Sequence, residues 1–267
     1  MKLIIRFLVN SNIWVAFCAL ALTYSSEILL QRNNFSISQF VFFATLFTYN
    51  FQRVVRIKKG EIHTRKNWLH KNSIAVYFLM LFAFANSLYH FYYFKFLTQV
   101  TIFFVATLSL AYPFGLRKIP FIKIFVISFA WTISTMFLLV IENEILITYN
   151  ISLHLLSRFL FVFAITIPFD IRDLRYDASK IKTIPLFFGD KKAKLIAIFG
   201  LLICIIIAVF QQFQNNIFPS NFPALILLYF LTLVLVMRSD KKNSDMYFSF
   251  WVESLSILSY VFLAILL

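Results

Sequence analysis

Apolar stretches, each closed off by charged side chains, recur along the whole chain. A helix needs about 20 mostly apolar residues to cross the hydrocarbon core of a bilayer, and the runs 7–26, 33–52, 72–94, 96–116 and 124–141 meet that need. A sixth, 153–169, joins them with Arg158 near its outer end, its charged head reaching the interface along an apolar stem. The run 195–237 is too long for one span. Gln211, Gln212, Gln214, Asn215, Asn216, Pro219, Ser220, Asn221 and Pro223 at its centre predict a turn between two helices. With 246–267 the expected total is nine spans. The expected fold class is therefore all-α, a polytopic membrane bundle that forms one domain over 1–267.

Composition agrees with the pattern. Hydrophobic residues make up 61% of the chain and charged residues 13%, with mean hydropathy +0.83, which leaves too few polar residues to cover a soluble globule. Phe occurs 36 times and Gly only 4 times, so glycine-mediated close packing is not the organising device. The net charge of +14 would suit nucleic acid on a soluble protein, but its distribution says otherwise. Two Lys or Arg precede the first span (Lys2, Arg6), and seven follow the second (Arg53, Arg56, Lys58, Lys59, Arg65, Lys66, Lys71). Three follow the fourth (Arg117, Lys118, Lys123), seven the sixth (Arg172, Arg175, Lys180, Lys182, Lys191, Lys192, Lys194) and three the eighth (Arg238, Lys241, Lys242). Alternate connections thus carry 22 of the 25, and only Arg32, Lys95 and Arg158 fall on the other side. Cytoplasmic loops hold such an excess. The expectation is an integral protein of a bacterial inner membrane, N-terminus cytoplasmic and C-terminus opposite, whose basic face attracts lipid headgroups and phosphorylated substrates. No nucleic-acid or protein partner is indicated. Lys2 and Arg6 before an apolar run ending Ala19-Leu20-Ala21 also fit a signal peptide, but the further spans favour a retained first helix. Cys18 and Cys204 both fall inside spans and are expected to be unbridged packing residues.

Asp170, Asp173 and Asp177 stand where the sixth span meets the basic side, spaced by three and four residues, so on a helix they share one face. Like charges converge there at a cost unless a cation is shared, and Mg²⁺ held between carboxylates and substrate phosphates is one solution. The plainer alternative is a solvated helix end whose acids pair with Arg172 and Arg175. Lys180-Ile181-Lys182-Thr183-Ile184-Pro185 follows, then Gly189, Lys192 and Ala193; Tyr112-Pro113-Phe114-Gly115-Leu116-Arg117-Lys118 closes the fourth span, with Lys123 and Trp131 beyond. Together with nine spans, these segments resemble the UbiA superfamily of intramembrane prenyltransferases. Residues 170–193 look like its second aspartate-rich motif, D-x-x-D-x-x-x-D with a K-T-x-P…G signature, and Tyr112, Pro113 and Arg117 match a weaker YP-x-x-x-(K/R) pattern.

The resemblance implies a UbiA-like bundle with a central cavity open to the cytoplasm. It also implies transfer of an isoprenyl group from a prenyl diphosphate to a lipophilic acceptor, with Mg²⁺ and basic groups neutralising the leaving diphosphate. Asp173 and Asp177 become the catalytic metal ligands, with Asp170 assisting, and Asn50, Arg53, Arg56, Tyr112, Arg117 and Lys182 surround the substrate. Aromatic faces suit an allylic cation, at roughly 0.5–2 kcal/mol each.

One motif departs from the family. Where its first aspartate-rich motif, N-D-x-x-D, is expected, this chain reads Tyr49-Asn50-Phe51-Gln52-Arg53-Val54-Val55-Arg56, with no acid between Glu27 and Glu61. Two readings stay open. In one, Arg53 and Arg56 contact the diphosphate directly and a single Mg²⁺ remains on Asp173 and Asp177. In the other, a non-catalytic UbiA fold binds a lipid or a partner, with Arg53 pairing with Asp173. A transporter fits less well, since the acids gather at one membrane face. His63 and His70 are expected to be solvated in the second loop, and Glu253 to face the bundle interior.

Overall fold

The computed structural model describes residues 2–60, 65–114, 119–177, 183–214 and 221–266. They form α1 Lys2–Asn10, α2 Ile13–Leu30, α3 Phe35–Lys58, α4 Lys66–Lys71, α5 Ser73–Tyr92, α6 Phe96–Ala111 and α7 Ile122–Thr132. There follow α8 Leu138–Glu142, α9 Tyr149–Asp177, α10 Ile184–Phe188, α11 Asp190–Gln214, α12 Asn221–Arg238 and α13 Leu255–Leu266. A π-helical stretch, Ile133–Phe137, fuses α7 to α8, and another, Tyr247–Val252, leads into α13. Among the described residues, seven rods are long and apolar enough to cross a membrane: α2, α5, α7 to α8, most of α9, most of α11, α12, and Tyr247–Leu266. The expected runs 33–52 and 96–116 give α3 and the shorter apolar α6.

Lipid is the solvent these helices are built for. Ile74, Phe78 and Leu81 on α5, Phe103 on α6, Phe199 and Ile206 on α11 and Phe230 on α12 all point outward. In water that exposure would be costly, and against acyl chains it is not. Inside, small side chains fill packed faces where glycine is scarce: Ala16, Cys18, Ser25, Ser26, Ser38, Ala197 and Cys204 are all fully buried. Cys18 and Cys204 are unbridged. One core cluster joins α9, α11 and α12 through Ile167, Leu201 and Leu228; another joins α2, α3, α6 and the α7–α8 rod through Ala19, Ile37, Ile102 and Met136.

Connections collect at two ends. At one, Lys95 Nζ pairs with Glu144 Oε1 at 2.7 Å and Asn34 Nδ2 donates to Asn143 Oδ1 at 3.1 Å, so the α2–α3, α5–α6 and α8–α9 connections meet. At the other, Arg65 donates to Val9 O and Ser249 Oγ, and Arg175 pairs with Asp245, joining α1, the α3–α4 connection, the end of α9 and the start of the last rod.

Two expectations change. The first run is not one helix: the chain breaks at Ser11 and Asn12, where Asn12 takes a left-handed φ of 62°, and α2 then continues to Leu30 with Glu27 buried inside it. Glu27 is satisfied there by Ser38 Oγ at 2.6 Å and the Asn34 amide at 3.1 Å. Arg158 does not reach the interface. It is 5% exposed and donates to Leu22 O, Ser25 Oγ and Ser26 Oγ of α2 at 3.2, 2.7 and 3.0 Å, because polar acceptors on the neighbouring helix solvate the charge within the protein.

Candidate functional site

A cavity of about 340 Å³ lies between α2, α3, α6, α7, α9 and the last rod. Its depth is apolar, with Ala19, Val41, Ile102, Ile133, Leu138 and Val162 on the walls. Phe40, Tyr49, Trp131 and Phe169 add aromatic surface, and Trp131 Nε1 donates to Tyr49 Oη at 3.0 Å, fixing both rings. Its mouth is charged: Arg53, Arg56, Arg65, Lys123 and Arg172 line it with Asp173, Asp245 and Glu253.

Local structure explains how the cations gather. Helix α3 runs past the expected end at Gln52, so Tyr49, Arg53 and Arg56 follow one helical face toward the mouth. The carbonyls at the C-terminal end of α1 lack helical partners; Asn10 O accepts from Arg53 Nη1 at 2.8 Å and Val9 O from Arg65 Nη1 at 2.7 Å. The break between α1 and α2 thus anchors two guanidiniums beside the cavity. Arg65 also donates from Nη2 to Ser249 Oγ at 2.8 Å. Burial, then the nearby Arg172, lowers the Arg65 pKa to about 10, which still leaves it charged at neutral pH. Arg172 lies 5.1 Å from the Phe169 ring centroid and grips Asp173 Oδ1 through Nε at 2.9 Å and Nη2 at 2.8 Å.

Asn50 is placed differently from the arginines. It is 1% exposed, accepts from Asn12 Nδ2 at 2.9 Å and donates to Ser11 O and Leu46 O, each at 2.9 Å. Its amide is occupied in clamping the α1–α2 break, and it does not line the cavity. Tyr112 is buried and does line it. Asp177 is the last residue of α9, with its side chain outside the described part; Arg117, Lys182 and His63 also lie outside the described residues. His70 is exposed on α4, and Glu253 faces the cavity from the last rod.

The two described acids of the motif share a cation from another helix. Lys123 Nζ, at the start of α7, lies 2.6 Å from Asp170 Oδ1 and 2.7 Å from Asp173 Oδ2. Asp170 is 1% exposed and does not line the cavity, whereas Asp173 does. With Lys123 on one oxygen and Arg172 on the other, Asp173 has both oxygens engaged by protein cations. The expected single Mg²⁺ on this carboxylate does not fit that arrangement, and among the described residues no three His, Cys, Asp or Glu side chains converge. Arg53 bonds to α1, not to Asp173, but the two line the same cavity from opposite helices. Sequence reasoning gave no site role to Arg65 or Asp245, and named Lys123 only beside the segments that carry the resemblance, without a role. For Arg65 and Asp245, charge near a span boundary was the local signal.

The sequence profile of the UbiA prenyltransferase family matches residues 66–255. No curated protein sequence matches the chain. Among solved structures, an apo UbiA homolog from Aeropyrum pernix K1 superposes with TM-score 0.68 at 12% identity, covering 94% of this chain and 97% of the other. A UbiA homolog from Archaeoglobus fulgidus bound to DMAPP and Mg²⁺ gives 0.65 at 14% identity, covering 97% and 98%. The same homolog bound to GPP and Mg²⁺ gives 0.60 at 15%, again covering 97% and 98%. At these identities the likeness establishes the fold.

Proposed function

Because this chain belongs to the UbiA prenyltransferase family, we propose that it transfers an isoprenyl group from a prenyl diphosphate to a lipophilic acceptor inside the bilayer. The observation that carries this reading is one cavity with a cationic mouth and an aromatic, apolar depth. A prenyl diphosphate has the matching polarity. Its anionic head meets Arg53, Arg56 and Arg65, and its chain fills the space lined by Ile102, Ile133 and Val162.

Guanidiniums bind phosphate oxygens through paired N–H groups and keep their charge when desolvated. As the allylic C1–O bond breaks, both electrons leave on the diphosphate oxygen, and fixed cations at the mouth stabilise that developing charge without reorganising. Tyr49, Trp131 and Phe169 line the wall beside the allylic cation, where aromatic surface suits it and excludes water. An electron pair of the acceptor then forms the new bond to C1, and the acceptor proton is released. The fixed Tyr49–Trp131 pair holds that wall in place.

The wider reading has nine membrane-spanning helices, α3 and α6 included, with the N-terminus and the cavity mouth cytoplasmic and the C-terminus opposite. Two ends where alternate connections meet support it. UbiA homologs have been solved with DMAPP or GPP and Mg²⁺, but the described carboxylates here do not support a step through a metal. The pairing of Asp173 with Lys123 and Arg172 also favours a second reading, a non-catalytic fold that binds a lipid or partner. Incubating the purified protein in nanodiscs with geranyl diphosphate and a native lipid extract separates the two. The first predicts a prenylated lipid and released diphosphate, lost in an Arg53→Gln, Arg56→Gln variant. Diphosphate left intact by folded wild-type protein across acceptors and chain lengths supports the second.

A further inference from the structure

We infer that this cavity recognises a diphosphate without a divalent metal, Lys123 serving as a built-in cation where an ion would otherwise be shared by Asp170 and Asp173. The inference rests on the prenyl-diphosphate reading above and goes beyond it by assigning how the anion is held.

Three observations converge. The Lys123 ammonium sits 2.6 Å and 2.7 Å from carboxylate oxygens of both acids, the place a bridging ion would take. The remaining oxygen of Asp173 is gripped by Arg172 through two nitrogens, so a metal would have to displace two protein cations, the buried Lys123 and the half-buried Arg172, to use that side chain. On α3, Phe51 and Val54 occupy the two sequence positions where the resemblance expects carboxylates, and the charged groups that this helix presents to the cavity are Arg53 and Arg56.

The charge balance decides the sign. Among the described residues, five cations line the mouth, against Asp173, Asp245 and Glu253 on the lining and Asp170 behind Lys123. The described cations outnumber the described acids there by one. A second cation is repelled from such a place, and an anion is drawn to it. The acids then act as positioning residues. They hold Lys123 and Arg172 at the mouth, and the diphosphate meets protein cations where a carboxylate-only site would require metal.

The test uses the full chain in nanodiscs and the non-hydrolysable analogue geranyl thiolodiphosphate, titrated in excess EDTA and again in excess Mg²⁺. The expected result is binding in EDTA with a Kd within about twofold of that in Mg²⁺. Binding that appears only with Mg²⁺, or tightens by about tenfold or more, overturns the metal-free inference and leaves the prenyl-diphosphate reading standing. Absence of binding in both conditions overturns the reading itself, and the inference with it. Lys123→Gln adds a signature that a purely structural lysine would not give. With its acids unmasked, the folded variant should bind about tenfold more weakly in EDTA and recover on adding Mg²⁺. Equal binding by variant and wild type in both conditions overturns the role of Lys123. Should the variant not fold, the wild-type comparison alone decides.

Discussion

Single side chains here divide between holding the fold and facing the cavity, and Asn50 shows how the division is read. Three hydrogen bonds at 2.9 Å saturate its amide away from the cavity. Asn50→Leu should therefore lower stability by about 1–3 kcal/mol, since Asn12 and the Ser11 carbonyl lose buried partners. Analogue affinity of the folded protein should stay unchanged; a loss of affinity without a fall in Tm would reassign Asn50 to the substrate. The Lys123 cluster makes a second prediction. Lys123→Met leaves two carboxylates facing each other without their cation, a loss on the order of 3–5 kcal/mol. Adding Asp170→Leu removes one of them, so the double variant should melt higher than Lys123→Met alone. Asp170 and Asp173 were visible from their spacing, as was the pairing of Arg172 with an acid. Lys123, fifty residues before Asp173, was not, because nothing local marks a partner supplied by another helix.

At the scale of elements, helix type was legible and helix ends were not. Charged residues marked where spans should stop, yet α3 carries on through Arg53 and Arg56 and α9 through Asp170, Arg172 and Asp173, because those charges turn inward to protein partners or the cavity. The split of the first run into α1 and α2 had no strong breaker to announce it; Asn12 tolerates the left-handed backbone that Asn adopts more readily than most residues. Asn12→Ala should cost about 1–2 kcal/mol, from the strained φ and the lost bond to Asn50. Arg158 belongs to the α2–α9 contact. Ser25 and Ser26 also donate to Leu22 O, so Arg158→Met leaves them bonded, whereas Ser25→Val with Ser26→Val strips acceptors from a buried guanidinium. Thermal melts should rank the serine pair as the more damaging change, by about 2 kcal/mol or more. The opposite ranking would mean that Arg158 pairs with something other than α2.

Over the whole molecule, charge asymmetry makes a prediction about sidedness. Both native cysteines are buried, so a membrane-impermeant maleimide should leave wild-type protein unlabelled in intact spheroplasts. Glu144→Cys should label from outside, and Lys241→Cys only after the membrane is opened; the reverse result would invert the proposed orientation. The sequence by itself determined the solvent, the helical class, the approximate placement of the spans and the segregation of basic residues. These are properties of stretches, set by the cost of exposing peptide groups and charges to hydrocarbon. Tertiary structure alone decided what the charges do once there. Whether Asp173 meets a metal or a lysine depends on which helix packs beside it, and that contact spans fifty residues with no trace in local pattern. Packing turned Asn50 into a clamp, drew Arg65 from a loop to the mouth and buried Arg158, because a charge inside a bundle takes whatever partner the neighbouring helix presents.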